Sequence, residues 1–291
     1  MGATTALRTL LATAAALLGF AANSLLCRAA LGNGAIDAWT FTAVRLGSGA
    51  GALVLCARLA ARGGAAPATL RAGSFPSALA LWGYAAAFSL AYLRLGAGVG
   101  ALVLFASVQA TMIGWSAWRG ARPSARERNG FVLAFAGLVV LTLPGASLPD
   151  PTGLALMAVA GIAWGVYSLR GRTSAAPLLA TRDNFVLAAP LALGALLAAV
   201  TLSTLHASAR GLALALASGA LASGLGYALW YRALPRLTAV RAALVQLLVP
   251  VLAAAAGILL LDEHLTWRLG VAGPLILLGV GLAVLGRRSG P

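Results

Sequence analysis

Apolar runs recur from one end of this chain to the other, and short arginine-bearing connections separate them. A helix needs about 20 mostly apolar residues to cross a hydrocarbon core of ~30 Å. The runs are Ala6–Leu31, Trp39–Ala57, Pro76–Leu93, Gly98–Trp118, Gly130–Leu143, Thr152–Leu169, Leu179–Leu202, Gly211–Tyr231, Val240–Leu261 and Leu269–Leu285. A soluble domain of this size would carry about a quarter charged residues. Here 9% are charged and 61% hydrophobic, with a mean hydropathy of +0.93. Lipid offers no partner for a free N–H or C=O, so spans built from such runs are helices. The expected fold is an all-α membrane protein with ten transmembrane helices. The first run is too long for a signal peptide and lacks a small-residue cleavage site, so it is expected to remain as a span.

Charge sets the orientation. The 21 basic residues are all arginine, and the net charge is +15. In a soluble chain a pI near 11.7 would point to nucleic acid. Here the arginines sit between apolar runs, so nucleic acid is not an expected partner. Cytoplasmic loops of membrane proteins are enriched in Lys and Arg. With the amino terminus inside, that side collects Arg8, Arg58, Arg62, Arg71, Arg119, Arg122, Arg126, Arg128, Arg170, Arg172, Arg182, Arg232, Arg236, Arg241, Arg287 and Arg288. The far side receives only Arg28, Arg94, Arg210 and Arg268, with Asp37, Asp150, Asp262 and Glu263. Both termini are therefore expected in the cytoplasm, in a bacterial-type inner membrane. Cys27 and Cys56 lie in apolar runs without CxxC spacing, so neither a disulfide nor a metal site is expected.

The chain also repeats itself. Shifting Gly98–Leu141 by 141 residues sets Val99 on Val240, Ala101 on Ala242, Val108 on Val249 and Gln109 on Pro250. A shift of 144 sets Phe20 on Trp164, Ser24 on Ser168, Arg28 on Arg172 and Phe41 on Phe185. Residues 1–146 and 147–291 would then hold five spans each. Five is odd, so the second copy must be inverted relative to the first. Inverted repeats mark secondary transporters, whose substrate site lies near the midplane between the repeats.

The residues also resemble a family. Ten spans, a five-plus-five repeat and the segment LLVPVLAAAAGILLLDEHLTWRLGVAG (Leu247–Gly273) look like the ten-helix exporter (EamA-type) branch of the drug/metabolite transporter superfamily. Pro250, Glu263, Gly270 and Gly273 fall in that family's order, as do Trp164-Gly165 and the run from Tyr231 to Leu234. Asp262 replaces the family's usual glycine before Glu263. The resemblance implies alternating access and export of small metabolites, most of all amino acids. The aromatic content of the third, sixth and eighth runs is most similar to the aromatic amino acid exporters.

Ionisable and polar residues within spans are costly, so they are functional candidates by default. Asn23, Gln109 and Gln246 carry amides that suit a carboxylate or an ammonium group. Interhelical hydrogen bonding is the alternative use of such amides. Tyr84, Phe88 and Tyr92 recur every four residues and share one helix face, and Trp164, Tyr167 and Tyr227 add rings from two other runs. Together these nine form the expected substrate site, a polar-tipped aromatic cavity. Arg45 falls inside a span and is expected to snorkel outward or to pair with a carboxylate. With Arg45, the residues Asp262, Glu263 and His264 are the candidates for a gate or the outer mouth, and as a solvated turn the last three would need no such role. No run carries a buried Asp or Glu, so a carboxylate proton relay is not expected.

Carriage explains the inverted repeat. A channel subunit would favour charge rings or carbonyl-lined loops. An intramembrane enzyme would need a nucleophile–base pair or a metal cluster, and His206 and His264 both lie outside the runs. The expected protein is a carrier without a cofactor, a monomer among its expected states, whose partners are a small-molecule substrate and membrane lipid.

Overall fold

A computed structural model describes residues 3–32, 34–62, 71–95, 97–120, 123–142, 150–201, 204–261 and 267–285. Helices dominate: α1 (Ala3–Leu31), α2 (Ala38–Arg62), α3 (Phe75–Tyr92), α4 (Ala97–Trp118), α5 (Ala125–Thr142), α6 (Pro151–Gly171) and α7 (Pro177–Val200). The eighth span is one rod of three parts, α8 (Ala209–Ala217), a π-helical stretch (Ser218–Leu225) and α9 (Gly226–Ala233). α10 (Ala239–Gln246) and α11 (Leu248–Leu261) form the ninth span and α12 (Trp267–Leu285) the tenth. Among the described residues there is no strand, only one antiparallel bridge between Ile36 and Ala207. The helices α1, α2, α6 and α7, and the continuous stretch Ala209–Arg236, are each long and apolar enough to cross a bilayer. Large side chains such as Leu10, Leu18, Leu197, Leu221 and Leu278 stay exposed on the outside, a surface suited to lipid rather than water.

Two spans depart from regular helix, and the sequence supplies reasons. Pro250 has no N–H, so it cannot bond the carbonyl four residues back, that of Gln246. The helix breaks there, and the Leu247 N–H turns to the Leu244 carbonyl instead. In the eighth span the Ser-Gly pairs at 218–219 and 223–224 occupy the π-helical stretch. Its i→i+5 bonding brings residues five apart to one side. A Cβ at Gly219 would run into the Arg45 carbonyl and the Ser48 hydroxyl, so only glycine allows α2 to approach this closely.

Packing crosses between the halves in matched pairs. α3 and α4 lie on α6, while α9 and α11 lie on α1. α3 packs on α7 as the π stretch packs on α2, and α2 meets α7 while α5 meets α12. Exchanging each span with the one five places on maps this set of contacts onto itself. The α5–α12 pair closes on small residues. A Cβ at Gly279 would lie 2.5 Å from the Gly130 carbonyl oxygen, so the two backbones are in contact.

The bundle has two chemically different ends. At one, Asp37 accepts from the His206 N–H at 3.0 Å while the Asp37 N–H donates to the His206 carbonyl at 2.9 Å, joining the α1–α2 and α7–α8 connections. At the other, the Arg241 Nε lies 3.7 Å from Glu127, joining the first turns of α10 and α5. Asp183 belongs to that second end. The sequence reading left no carboxylate buried in a span, but α7 begins at Pro177 and takes in Asp183, whose side chain is only 15% exposed. The reason is local: its Oδ2 accepts from the N–H groups of Ala72 (2.7 Å) and Gly73 (3.1 Å). Those groups precede α3 and have no helical partner there. Its Oδ1 also pairs with Arg182 at 2.6 Å.

Candidate functional site: an aromatic cavity at the centre of the bundle

Helical spacing places the site. Phe20, Asn23 and Ser24 share one face of α1, and Tyr84 and Phe88 share one face of α3. Leu104 and Phe105 come from α4. From the second half come Trp164 on α6, Tyr227 on α9, Gln246 on α10 and Val249 on α11. These residues line one small cavity. Its walls therefore come from the first, third and fourth spans of each half. The cavity measures about 30 Å³, room for a water or two, since one water needs roughly 10–15 Å³. A metabolite enters only if the walls separate.

Trp164 is the centre of the wall. Its ring lies 5.2 Å from Phe20, nearly perpendicular, and 5.0 Å from Tyr84 and 4.6 Å from Tyr227. Its Nε1 donates to the Gln246 Oε1 at 2.6 Å. Gln246 is itself held, its Nε2 donating to the Ala242 carbonyl at 3.0 Å. The indole is thus fixed from the last residue of α10, just where the helix breaks.

A polar network backs the aromatic wall. The Asn23 Oδ1 accepts from the Ser218 hydroxyl at 2.6 Å and from the Ser223 hydroxyl at 3.4 Å, two residues that the π stretch brings together. Ser223 in turn accepts from the Arg45 Nε at 2.9 Å. The Arg45 Nη2 donates to the Tyr227 hydroxyl at 2.6 Å and to the Tyr84 hydroxyl at 3.4 Å. Its guanidinium also lies 5.4 Å from the Tyr84 ring centre and 5.9 Å from that of Phe88.

Of the nine residues expected at the substrate site, Asn23, Tyr84, Phe88, Trp164, Tyr227 and Gln246 line this cavity. Tyr92 lies further along α3 with its ring against Phe88 (4.6 Å), outside the lining. Gln109 is buried elsewhere, where its Nε2 donates to the Ala243 carbonyl at 2.8 Å and ties α4 to α10. Tyr167 stands one ring behind the wall, 5.6 Å from Trp164 and 4.8 Å from Tyr231. The expectation for Arg45 is corrected. It neither snorkels outward nor pairs with a carboxylate, and it is 1% exposed, turned into the bundle by Ser223, Tyr84 and Tyr227. Asp262, Glu263 and His264 lie outside the described residues. Phe20, Ser218 and Ser223 were not among the expected site residues. A shift of 144 residues sets Phe20 on Trp164, a sequence signal that singles Phe20 out.

A second, wider cavity of about 460 Å³ opens at the Arg241 end. Arg71, Arg170, Ser74, Ser77, Asn184 and Tyr231 are among its walls. Arg170 donates to Ser77 at 2.7 Å and to Ser74 at 3.1 Å. The Tyr231 hydroxyl donates to the Tyr167 carbonyl at 3.1 Å. From this vestibule the rings of Tyr231, Tyr167 and Trp164 follow one another to the central cavity.

Fold and cavity define the class: a multi-pass, all-α membrane protein with a small aromatic chamber at its centre. The EamA-like transporter family matches residues 151–285. An uncharacterised protein of Pseudomonas aeruginosa is 51% identical over 280 residues, covering 96% of each chain. A solved crystal structure shares the fold with a TM-score of 0.78, at 20% identity and over 96% of this chain and 98% of that one. The chain belongs to the EamA-like transporter family, and so to the membrane transporters of small molecules.

Proposed function

We propose that this protein is a secondary carrier that exports small metabolites, amino acids above all, aromatic and other neutral ones among them. It works by alternating access between two inverted five-helix repeats, residues 1–146 and 147–291. The observation that carries this reading is the composition of the central cavity, whose walls come from the first, third and fourth spans of each half. The exchange symmetry of the helix contacts supports the repeat. The rings of Phe20, Tyr84, Phe88, Trp164 and Tyr227 suit a flat or apolar side chain, and the amides of Asn23 and Gln246 suit the polar groups beside it. The arginine-rich end, with its 460 Å³ vestibule, is the cytoplasmic face, and both termini lie there. In this contracted state the vestibule is separated from the cavity by Tyr231 and Tyr167. Rocking of the halves would open either side in turn, with the substrate's own gradient as the driving force.

Counterflow in liposomes tests the reading: unlabelled amino acid inside, labelled phenylalanine outside, and no ion gradient. Transient accumulation that Trp164→Ala reduces by about tenfold or more is expected, the loss of one well-packed aromatic contact and its hydrogen bond. Folded protein that gives no counterflow with any amino acid, even under an imposed proton gradient, would remove amino acids as its cargo.

A further inference from the structure

Arg45 is buried on α2, and among the described residues no carboxylate pairs with it. A guanidinium keeps its proton at any ordinary pH. Its hydrogen-bond partners, the hydroxyls of Ser223, Tyr227 and Tyr84, are all neutral. The carboxylates with described ion pairs bond elsewhere, Asp150 to Arg94, Asp183 to Arg182 and Glu127 to Arg241. The Arg45 Nη1 is buried and donates to nothing. An unpaired cation and an unused donor in the membrane interior are both strongly unfavourable. The Tyr84 and Phe88 rings offset part of the cation's cost, but they supply neither a counter-ion nor an acceptor for Nη1, and the side chain does not reach an interface. A counter-charge arriving with a ligand remedies both.

The neighbours show where that charge would sit. Tyr84 and Tyr227 accept from Arg45 through their hydroxyls, and both residues line the central cavity. Tyr227 donates onward to Tyr84 at 3.4 Å, which leaves the Tyr84 proton free for an acceptor in the cavity. Two neutral tyrosines thus pass a cation's polarity to the cavity edge, while Phe20, Phe88 and Trp164 keep the rest of the wall apolar. Resting on the carrier reading, we propose that Arg45, Tyr84 and Tyr227 form the anion-recognising end of the substrate site, and that the carried metabolite bears a carboxylate beside an aromatic or apolar side chain. When the walls part to admit it, the carboxylate bonds the tyrosine hydroxyls and takes the free Arg45 Nη1 as its counter-ion.

The test uses the full chain in two assays. In liposomes, labelled phenylalanine counterflow is competed by 3-phenylpropionate, phenylalaninamide and phenethylamine. In detergent, the same four compounds, and sodium chloride alone, are scored for thermal stabilisation. The two carboxylates should act at about tenfold lower concentration than the amide or the amine, the scale of one charge-assisted hydrogen bond. Arg45→Gln should bring that ratio to about one, Arg45→Lys should keep part of it, and Tyr84→Phe should weaken it while the protein stays folded. If Arg45→Gln does not fold, the wild-type ratio and Tyr84→Phe decide alone. Amide and amine matching the acids, or a preference that survives in Arg45→Gln, overturns the proposal, as does stabilisation by chloride that the acids do not exceed. Absence of counterflow with any amino acid, even under an imposed proton gradient, with Arg45-dependent stabilisation by the acids retained would overturn the amino-acid carrier reading and leave the carboxylate site standing.

Discussion

Single residues divide here into those that shape the cavity and those that hold the shape. Trp164 does both, through its ring contacts and its bond to Gln246. Trp164→Phe keeps an aromatic surface but strands the Gln246 oxygen, a buried acceptor whose loss of partner costs roughly 1–3 kcal/mol. The expected outcome is a lower melting temperature with measurable counterflow, against the near-complete loss in Trp164→Ala. Equal transport by the two variants would show that the ring is dispensable. Asp183 belongs to the holding group. Asp183→Asn weakens charged hydrogen bonds to the Ala72 and Gly73 N–H groups, worth roughly 1.5–3 kcal/mol when the acceptor is ionised. Its melting temperature should fall while the order of preferred substrates stays the same. A changed order of preference would move Asp183 from the scaffold to the site.

At the scale of elements, the irregular spans matter most. The break between α10 and α11 presents Gln246 at the end of a helix, beside a carbonyl that Pro250 leaves without its usual donor. Pro250→Ala restores that donor and relieves a helix-breaking effect of about 3 kcal/mol. The variant should melt at a higher temperature and exchange substrate more slowly, because a straightened helix withdraws Gln246 from Trp164. Unchanged exchange in a stabilised protein would mean that the break has no part in transport. The α5–α12 pair makes the opposite case. A valine at Gly279 would press on the Gly130 backbone at 2.5 Å, and overpacking of this kind costs roughly 1–3 kcal/mol. Gly279→Val should therefore lower the yield of folded protein without changing which compounds compete in the fraction that folds.

For the whole molecule the central question is which end faces the cytoplasm. In a Cys56→Ser background that leaves only the buried Cys27, His206→Cys should react with an impermeant thiol reagent on intact cells. Ser174→Cys, at the arginine-rich vestibule, should react only after permeabilisation. The reverse pattern would invert the proposed orientation. The ten-helix architecture was legible in the sequence, because hydropathy over about 20 residues reports directly on crossing a bilayer. The faces of single helices were legible as well, as with Tyr84 and Phe88 four residues apart. The rotation of each helix about its axis was not. Lipid tails and protein interior are equally apolar, so hydropathy does not say which side of a span turns inward. Tyr84 and Tyr92 look alike in the sequence, yet only Tyr84 borders the cavity. Arg45 could have snorkelled, and was turned inward because Gly219 and the π stretch bring Ser223 and Tyr227 within its reach. Composition and spacing determined that the chain is a bundle of membrane helices with polar and aromatic residues to place. Close backbone contact at small residues, a property of pairs of helices rather than of either sequence, decided where those residues meet.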